Sequence, residues 1–446
     1  MKRRLFQAGL FLFFMSSHVL MADEAGKADE AGKADEAVSL KEFIGQILME
    51  HPDVKAAHNR MLAQKSSIDQ AQAGRLPTID LQTGWGKQRR NNQTTRGSGN
   101  ENSHMTRQEL SLNLQQPLFE GFAIDNRIEQ SKKAYEARKQ EWLSEAQKTA
   151  LAIADVYFMV MEKRRQLELA EDNHTIHKKT YDQISQRVKQ GLASGAELSQ
   201  MEGRTARAAV NVIVAKNNLD DVQSEFFMVT NQQPGQLLAP AMGKVPYASL
   251  EAAKPLLVNH PRMQSANFES DAAENAYNIS VSAYYPAVNL EVDRSWNNDV
   301  DGVKGSDDNF QAIFKMRYNL FRGGADKAAV SESGYRMAEI GNIRERTHRE
   351  LNAMLDMAWF SFHYLQKQKP VLQTYVNASK QTRLAYKEQF ELGQRGLLDL
   401  LDSDNELFQA QQNYTLVHYQ LFHAYVNLLN ATGDLLSWLE TPDSDK

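Results

Sequence analysis

The chain has 446 residues, no cysteine, and 51 basic against 56 acidic side chains, for a formal net charge of −5. Without cysteine there is no disulfide framework, thiolate nucleophile or cysteine metal site, and the acidic balance argues against nucleic acid, which wants basic patches. Beyond the N-terminal segment no apolar run approaches the roughly 20 residues of a membrane-spanning helix; a β-barrel, whose alternating strands barely register in hydropathy, stays open.

Met1, Lys2, Arg3 and Arg4 lead into an apolar run from Leu5 to Met15, and the segment ends Leu20-Met21-Ala22. A cationic head, a short apolar core and a terminal alanine predict a secretory signal peptide over residues 1–22. No cysteine stands at the cleavage site to carry a lipid anchor. Residues 23–38 are built on a DEAGKA repeat with no apolar face. Such a segment cannot bury enough surface to offset its ordering entropy, so it is expected as a disordered leader, with a docking tail as the alternative.

A short helical pattern follows over 39–58 (Leu40, Phe43, Ile44, Ile47, Leu48), ending at His51-Pro52. After Pro77, Ile79, Leu81, Thr83 and Trp85 alternate with polar residues, and after a polar stretch Leu110, Leu112 and Leu114 alternate again up to Leu118. Period two predicts strands, about 79–89 and 105–118, joined by a polar loop over 89–104. From Phe122 to Val188 there is no proline, and Trp142, Ala146, Thr149, Ile153, Val156, Val160 and Leu167 mark a heptad seam. The pattern predicts a helix over 122–189, on the order of 100 Å long. A turn at Gly191 leads to a second seam, Leu198, Met201, Thr205, Ala208, Val212, Ala215, Leu219, Val222 and Phe226, predicting a helix over 196–230.

The remainder repeats this order. His51-Pro52 and Pro77 recur 209 residues later at His260-Pro261 and Pro286; Leu118-Phe119-Glu120-Gly121, Gly191 and Leu198 recur 202 residues later at Leu320-Phe321-Arg322-Gly323, Gly393 and Leu400. One constant offset, a change of seven, then another constant offset is the mark of a duplication with one loop deletion. Repeat 1 therefore spans 39–247 and repeat 2 spans 248–440, with a tail over 441–446. Repeat 2 carries strands at about 287–296 and 309–320, a loop over 297–309, and long helices at 323–391 and 397–432.

Each strand run is about the length a tilted barrel strand needs to cross a membrane. Four strands cannot close a barrel with an open bore, and an open edge is not tolerated in lipid, so the strands of several chains must combine; three chains would supply twelve. Small residues on the helical seams suit a cylinder in which each helix touches two neighbours. The competing reading is an exported structural coiled-coil or adhesin-type protein without a pore, which leaves both strand pairs unexplained.

The two His-Pro junctions, the strand exits QQPLFEG (115–121) and NLFRGG (319–324), and the turns VKQGLASGAEL (188–198) and FELGQRGLLDLLD (390–402) resemble the TolC family of outer-membrane efflux and secretion channels, from about Leu40 to Leu439. The exit motif and the missing lipidated cysteine lean toward the TolC and type I secretion branch. The resemblance implies a mainly α chain with a β-barrel portion. It would form a homotrimer whose 12-stranded outer-membrane barrel, four strands per chain, continues into a long α-helical coiled-coil tunnel across the periplasm of a Gram-negative cell. It further implies a passive conduit without cofactor, metal or catalysis. The conduit would stand in outer-membrane lipid and work with a periplasmic adaptor (membrane fusion) protein and an inner-membrane ABC or RND-type transporter.

Asp399 and Asp402 share a face at the start of the last long helix, where carboxylates also favour the helix dipole. The resemblance implies that they form the pore constriction. It also implies gate links at Glu197, Arg395 and Phe390, with Phe390 standing where the family has a tyrosine. A Glu197–Arg395 pair would then hold the entrance. By the same resemblance Gly191, Leu192, Gly393 and Gln394 contact the adaptor, although both glycines also suit a tight turn. His174 and His177 lie three apart on a helix without a third ligand, and no nucleophile–base pair or phosphate loop is present.

Overall fold

The computed structural model describes residues 38–239, 242–243 and 245–441. The signal peptide and nearly all of the leader lie outside this range. Val38, placed in the leader by composition, is described and forms a parallel bridge with Leu237.

Helix α1 (Leu40–Leu48) starts at Ser39, whose hydroxyl accepts from the Glu42 N–H, and α2 (Pro52–Ala73) starts at His51 with proline in its first turn. Strand β1 (Thr78–Gln88), a short helix α3 (Gln93–Gly97) and strand β2 (Met105–Glu120) follow. The 89–104 segment, expected as plain loop, holds α3 because Asn92 and Thr95 form a reciprocal capping box. Two long helices, α4 (Ala123–Lys189) and α5 (Gly195–Thr230), complete the first repeat. The second runs α6 (Leu250–Ala253), a 3₁₀ turn, α7 (Pro261–Val281), β3 (Ala287–Asn298), β4 (Ser306–Arg317), α8 (Ala325–Glu391) and α9 (Leu397–Thr432), and α10 (Leu435–Glu440) closes the chain. Several expected bounds move: β2 and β3 each end two residues later than read, at Glu120 and Asn298, α8 starts two residues later, and β4 begins three residues earlier and ends at Arg317, so the second loop shrinks to 299–305.

The four strands form one antiparallel sheet in the order β1-β2-β3-β4, leaving β1 and β4 as free edges. The register lines Leu81, Leu112, Arg294 and Phe310 across it, and beside them Ile79, Leu114, Val292 and Ala312. The alternate rows are polar, as in Asp80, Asn113, Asp293 and Gln311. One face is thus apolar, with Trp85 and Phe314 more than 70% exposed. No described helix is long and apolar enough to cross a membrane; the sheet carries that face. Arg294 stands on the apolar face with its guanidinium 4.9 Å from the Trp296 ring centre, a placement that suits a membrane rim. Pro117, which lacks an N–H for the ladder, sits at a bulge between Pro117 and Phe119. The chain then leaves β2 through Gly121 (φ +59°), where a Cβ would strike the Ser282 carbonyl at 2.7 Å, and this explains the glycine of the exit motif.

At about 1.5 Å per residue, the 67-residue α4 and α8 each extend about 100 Å. Helices α2 and α7 pack beside α4 nearer the sheet; α5 and α9 return along α4 and α8 from the far end. Most of the predicted seam is buried: Ala146, Ile153, Val156 and Val160 on α4; Met201, Ala208, Val222 and Phe226 on α5. The main core lies at mid-length, where α1, α6 and α10 wrap the long helices and the Tyr157 hydroxyl reaches the Leu238 carbonyl at 2.7 Å. Pro370 lies inside α8 without ending it.

Candidate functional site

The far end of the molecule consists of two nearly identical turns. In the first, the Gly191 N–H donates to the Val188 carbonyl and the Leu192 N–H to the Arg187 carbonyl; in the second, the Gly393 N–H donates to Phe390 and the Gln394 N–H to Gln389. This pair of bonds is a Schellman motif, and the glycines supply its left-handed residue at φ +72° and +74°. Leu192 is exposed beside them. The four residues expected to touch an adaptor therefore share one tip, and their local geometry is also what ends the helices.

The turns differ at the next helix start. In copy one Ser194 caps α5: its hydroxyl accepts from the Glu197 N–H (3.2 Å), and the Ser194 N–H donates to the Glu197 carboxylate (2.7 Å). Glu197 is thus engaged in its own capping box and makes no contact with Arg395 within the chain. In copy two the capping position is Gly396, which has no side chain to offer. Asp399, the counterpart of Glu197, is released from capping, and its carboxylate lies 3.5 Å from Arg395.

Arg395 is held from three sides. Its Nε donates to the Gln389 side-chain oxygen at 2.7 Å, its Nη1 faces Asp399, and its guanidinium stacks 3.8 Å from the Tyr386 ring centre. Tyr386, one helical turn before Phe390, is thus the aromatic partner of Arg395. Phe390 itself is buried in a small core with Ile184, Met201, Leu397, Leu400 and Leu401, and carries the Arg187 guanidinium 5.1 Å from its ring centre. Of the residues expected as gate links, Phe390 packs its ring into the hairpin core, while Tyr386 stacks on Arg395.

Asp399 and Asp402 are both exposed on α9, and Asp402 lies 3.4 Å from Arg204 of α5. A third pair was missed in the sequence. Asp404, 5% exposed, accepts from Arg383 Nε at 2.7 Å. A signal was available, since Asp404 lies four residues after Leu400 on an otherwise apolar seam. Buried His177 is near this pair; burial lowers its pKa, and Asp404 partly opposes that shift. Among the described residues no group of three or more metal-binding side chains is assembled.

A sheet with a lipid-ready face set on a helical barrel stave of about 100 Å defines a membrane-anchored channel-tunnel. The outer membrane efflux protein family matches residues 43–226 and 253–434, one segment in each repeat, and the chain belongs to that family. It is 21% identical to outer membrane efflux protein BepC of Brucella suis over 347 residues, covering 76% of this chain and 75% of BepC. It is 20% identical to outer membrane protein TolC of Vibrio cholerae over 410 residues, covering 89% and 91%. Among solved structures, the Campylobacter jejuni CmeC outer membrane channel superposes with a TM-score of 0.79 at 16% identity, covering 89% of this chain and 86% of CmeC. VceC of Vibrio cholerae superposes at 0.77 and 16% identity, covering 88% and 96%. The chain is an outer-membrane efflux channel whose helical part extends into the periplasm, and the mainly α fold with four barrel strands and two tandem repeats is the one read from the sequence.

Proposed function

We propose that three copies of this chain close a 12-stranded barrel and a continuous helical tunnel, a passive exit duct without catalysis, shut at its periplasmic tip. The observation that carries this is the four-stranded sheet, apolar on one face and open at both edges. Such edges cannot persist in lipid, and joining β4 of one copy to β1 of the next removes all of them. Asp399 and Asp402 form the constriction, as two rings of three carboxylates. Arg395, clamped by Tyr386, Gln389 and Asp399, holds the closed turn, while Glu197 and Phe390 act indirectly, as helix cap and hairpin core. The exposed tips at Gly191, Leu192, Gly393 and Gln394 dock the periplasmic adaptor, and an inner-membrane transporter of ABC or RND type supplies the energy. Small-molecule efflux and type I protein secretion both fit a duct of this kind, because cargo choice then rests with the transporter.

The test is reconstitution in planar bilayers. The wild-type protein should run as a heat-modifiable trimer and give small conductance steps. The D399A/D402A variant should conduct more or change its ion preference. A soluble, monomeric or dimeric periplasmic protein, or identical recordings from the variant, would overturn the reading.

A further inference from the structure

The three aspartates at the head of α9 each have an arginine: Asp399 with Arg395, Asp402 with Arg204, and Asp404 with Arg383. The middle pair differs from the others. Arg395 and Arg383 belong to repeat 2, in the turn and on α8, whereas Arg204 reaches across from α5 of repeat 1, 198 residues away in sequence. Its counterpart in repeat 2 is Glu406, so nothing in the duplication demands a base there. Asp402 is well exposed while Arg204 is largely covered, which places the guanidinium behind the carboxylate instead of in front of it.

Arg207 lies one turn further along α5, exposed, and makes no ion pair among the described residues. Arg204 and Arg207 open onto a cavity of about 260 Å³ between α4, α5 and α9, whose wall also holds Asn211, Asn405, Gln409 and Gln412. Guanidinium and carboxamide groups offer many N–H donors, the chemistry that receives carboxylate, sulfate or phosphate groups. His177 Nδ1, buried with no partner, lies in the same wall.

We propose that Arg204 determines the charge selectivity of the entrance: it cancels the Asp402 ring and, with Arg207, lines the passage just beyond with positive charge. The duct therefore admits anionic and zwitterionic solutes that two bare carboxylate rings would repel. This rests on the placement of Asp402 at the constriction given above. A bare ring concentrates cations and excludes anions; a ring with a guanidinium behind each carboxylate is close to neutral.

The experiment measures the reversal potential of the reconstituted trimer under a potassium chloride gradient, together with block by hexamminecobalt. Wild type should show weak preference and weak block. R204Q should raise the potassium-to-chloride permeability ratio about tenfold and strengthen block. R204K, which keeps the charge, should behave as wild type, and R204Q/D402N should restore weak preference. Conducting wild-type and R204Q channels of equal selectivity would overturn this inference alone. A wild-type channel already as cation-selective as R204Q would do the same. The absence of any conductance from the folded wild-type protein would overturn the duct and this inference with it.

Discussion

His260 stands where α9 ends and α7 begins, and its two ring nitrogens have opposite duties. Nδ1 accepts from the Arg262 N–H at 3.1 Å, and Nε2 donates to the Asn430 carbonyl at 3.3 Å. His51 repeats both contacts, with the Asp53 N–H and the Val229 carbonyl. Only the neutral tautomer can do this, because a proton on Nδ1 would face another donor. Burial accordingly pushes His260 from 6.5 down to about 4, with Arg262 adding to the effect and the bond to Asn430 opposing it. The sign follows: as pH falls from 6.5 toward 4, the unfolded chain binds a proton the folded chain refuses. Stability is therefore full above pH 6.5 and is lost across that window, by on the order of 3 kcal/mol for His260. His418, pushed to about 4 by burial and by Lys369, contributes a loss of stability in the same direction as pH falls. Denaturant unfolding of the detergent-solubilised protein at pH values on either side of the window should show the loss, and H260N, which retains a capping oxygen, should flatten it.

At the scale of the element, the two hairpin tips show how one capping residue redirects a carboxylate. Ser194 and Glu197 satisfy each other's backbone N–H groups at the head of α5; Gly396 cannot, and Asp399 turns to Arg395. Ser194→Ala should destabilise that helix start by about 1 kcal/mol. Hydrogen exchange would read this as faster amide exchange over the first turn of α5, with the first turn of α9 unchanged. Equal acceleration at both starts would mean that the tips are coupled and that the box is not a local feature. The bounds of the long helices were legible in the sequence because heptad seams and left-handed glycines are local signals. Pro370 was a signal of the opposite kind, since proline inside a helix removes one ladder bond and costs about 3 kcal/mol. Helix α8 continues through it, anchored by buried Leu351, Leu355, Ala358, Trp359 and Phe362 before the proline and by Ser379 and Phe390 after it.

For the whole molecule, the sheet's two faces decide whether three chains can enter a membrane. Phe314 lies on the apolar face of β4 and Gln311 on the other. Phe314→Arg should cost about 2–4 kcal/mol of membrane stability, whereas Gln311→Arg should stay within about 0.5 kcal/mol. Urea-induced loss of the heat-modifiable trimer in lipid vesicles would measure both. Comparable losses from the two substitutions would contradict the assignment of faces.

The sequence by itself determined the duplication, the strands, the long helices and the turns that join them. Alternation, heptads and capping chemistry are set by neighbours a few residues apart, and those neighbours are printed in order along the chain. It also located Asp399, Asp402 and Arg395 at one tip. Only the tertiary structure decided which charges meet. Arg204 with Asp402, Arg383 with Asp404 and Tyr386 beneath Arg395 depend on the rotation of each helix about its axis and on its register against the next. A shift of one residue turns a helical side chain by about 100°, so spacing alone cannot name its partner across the groove.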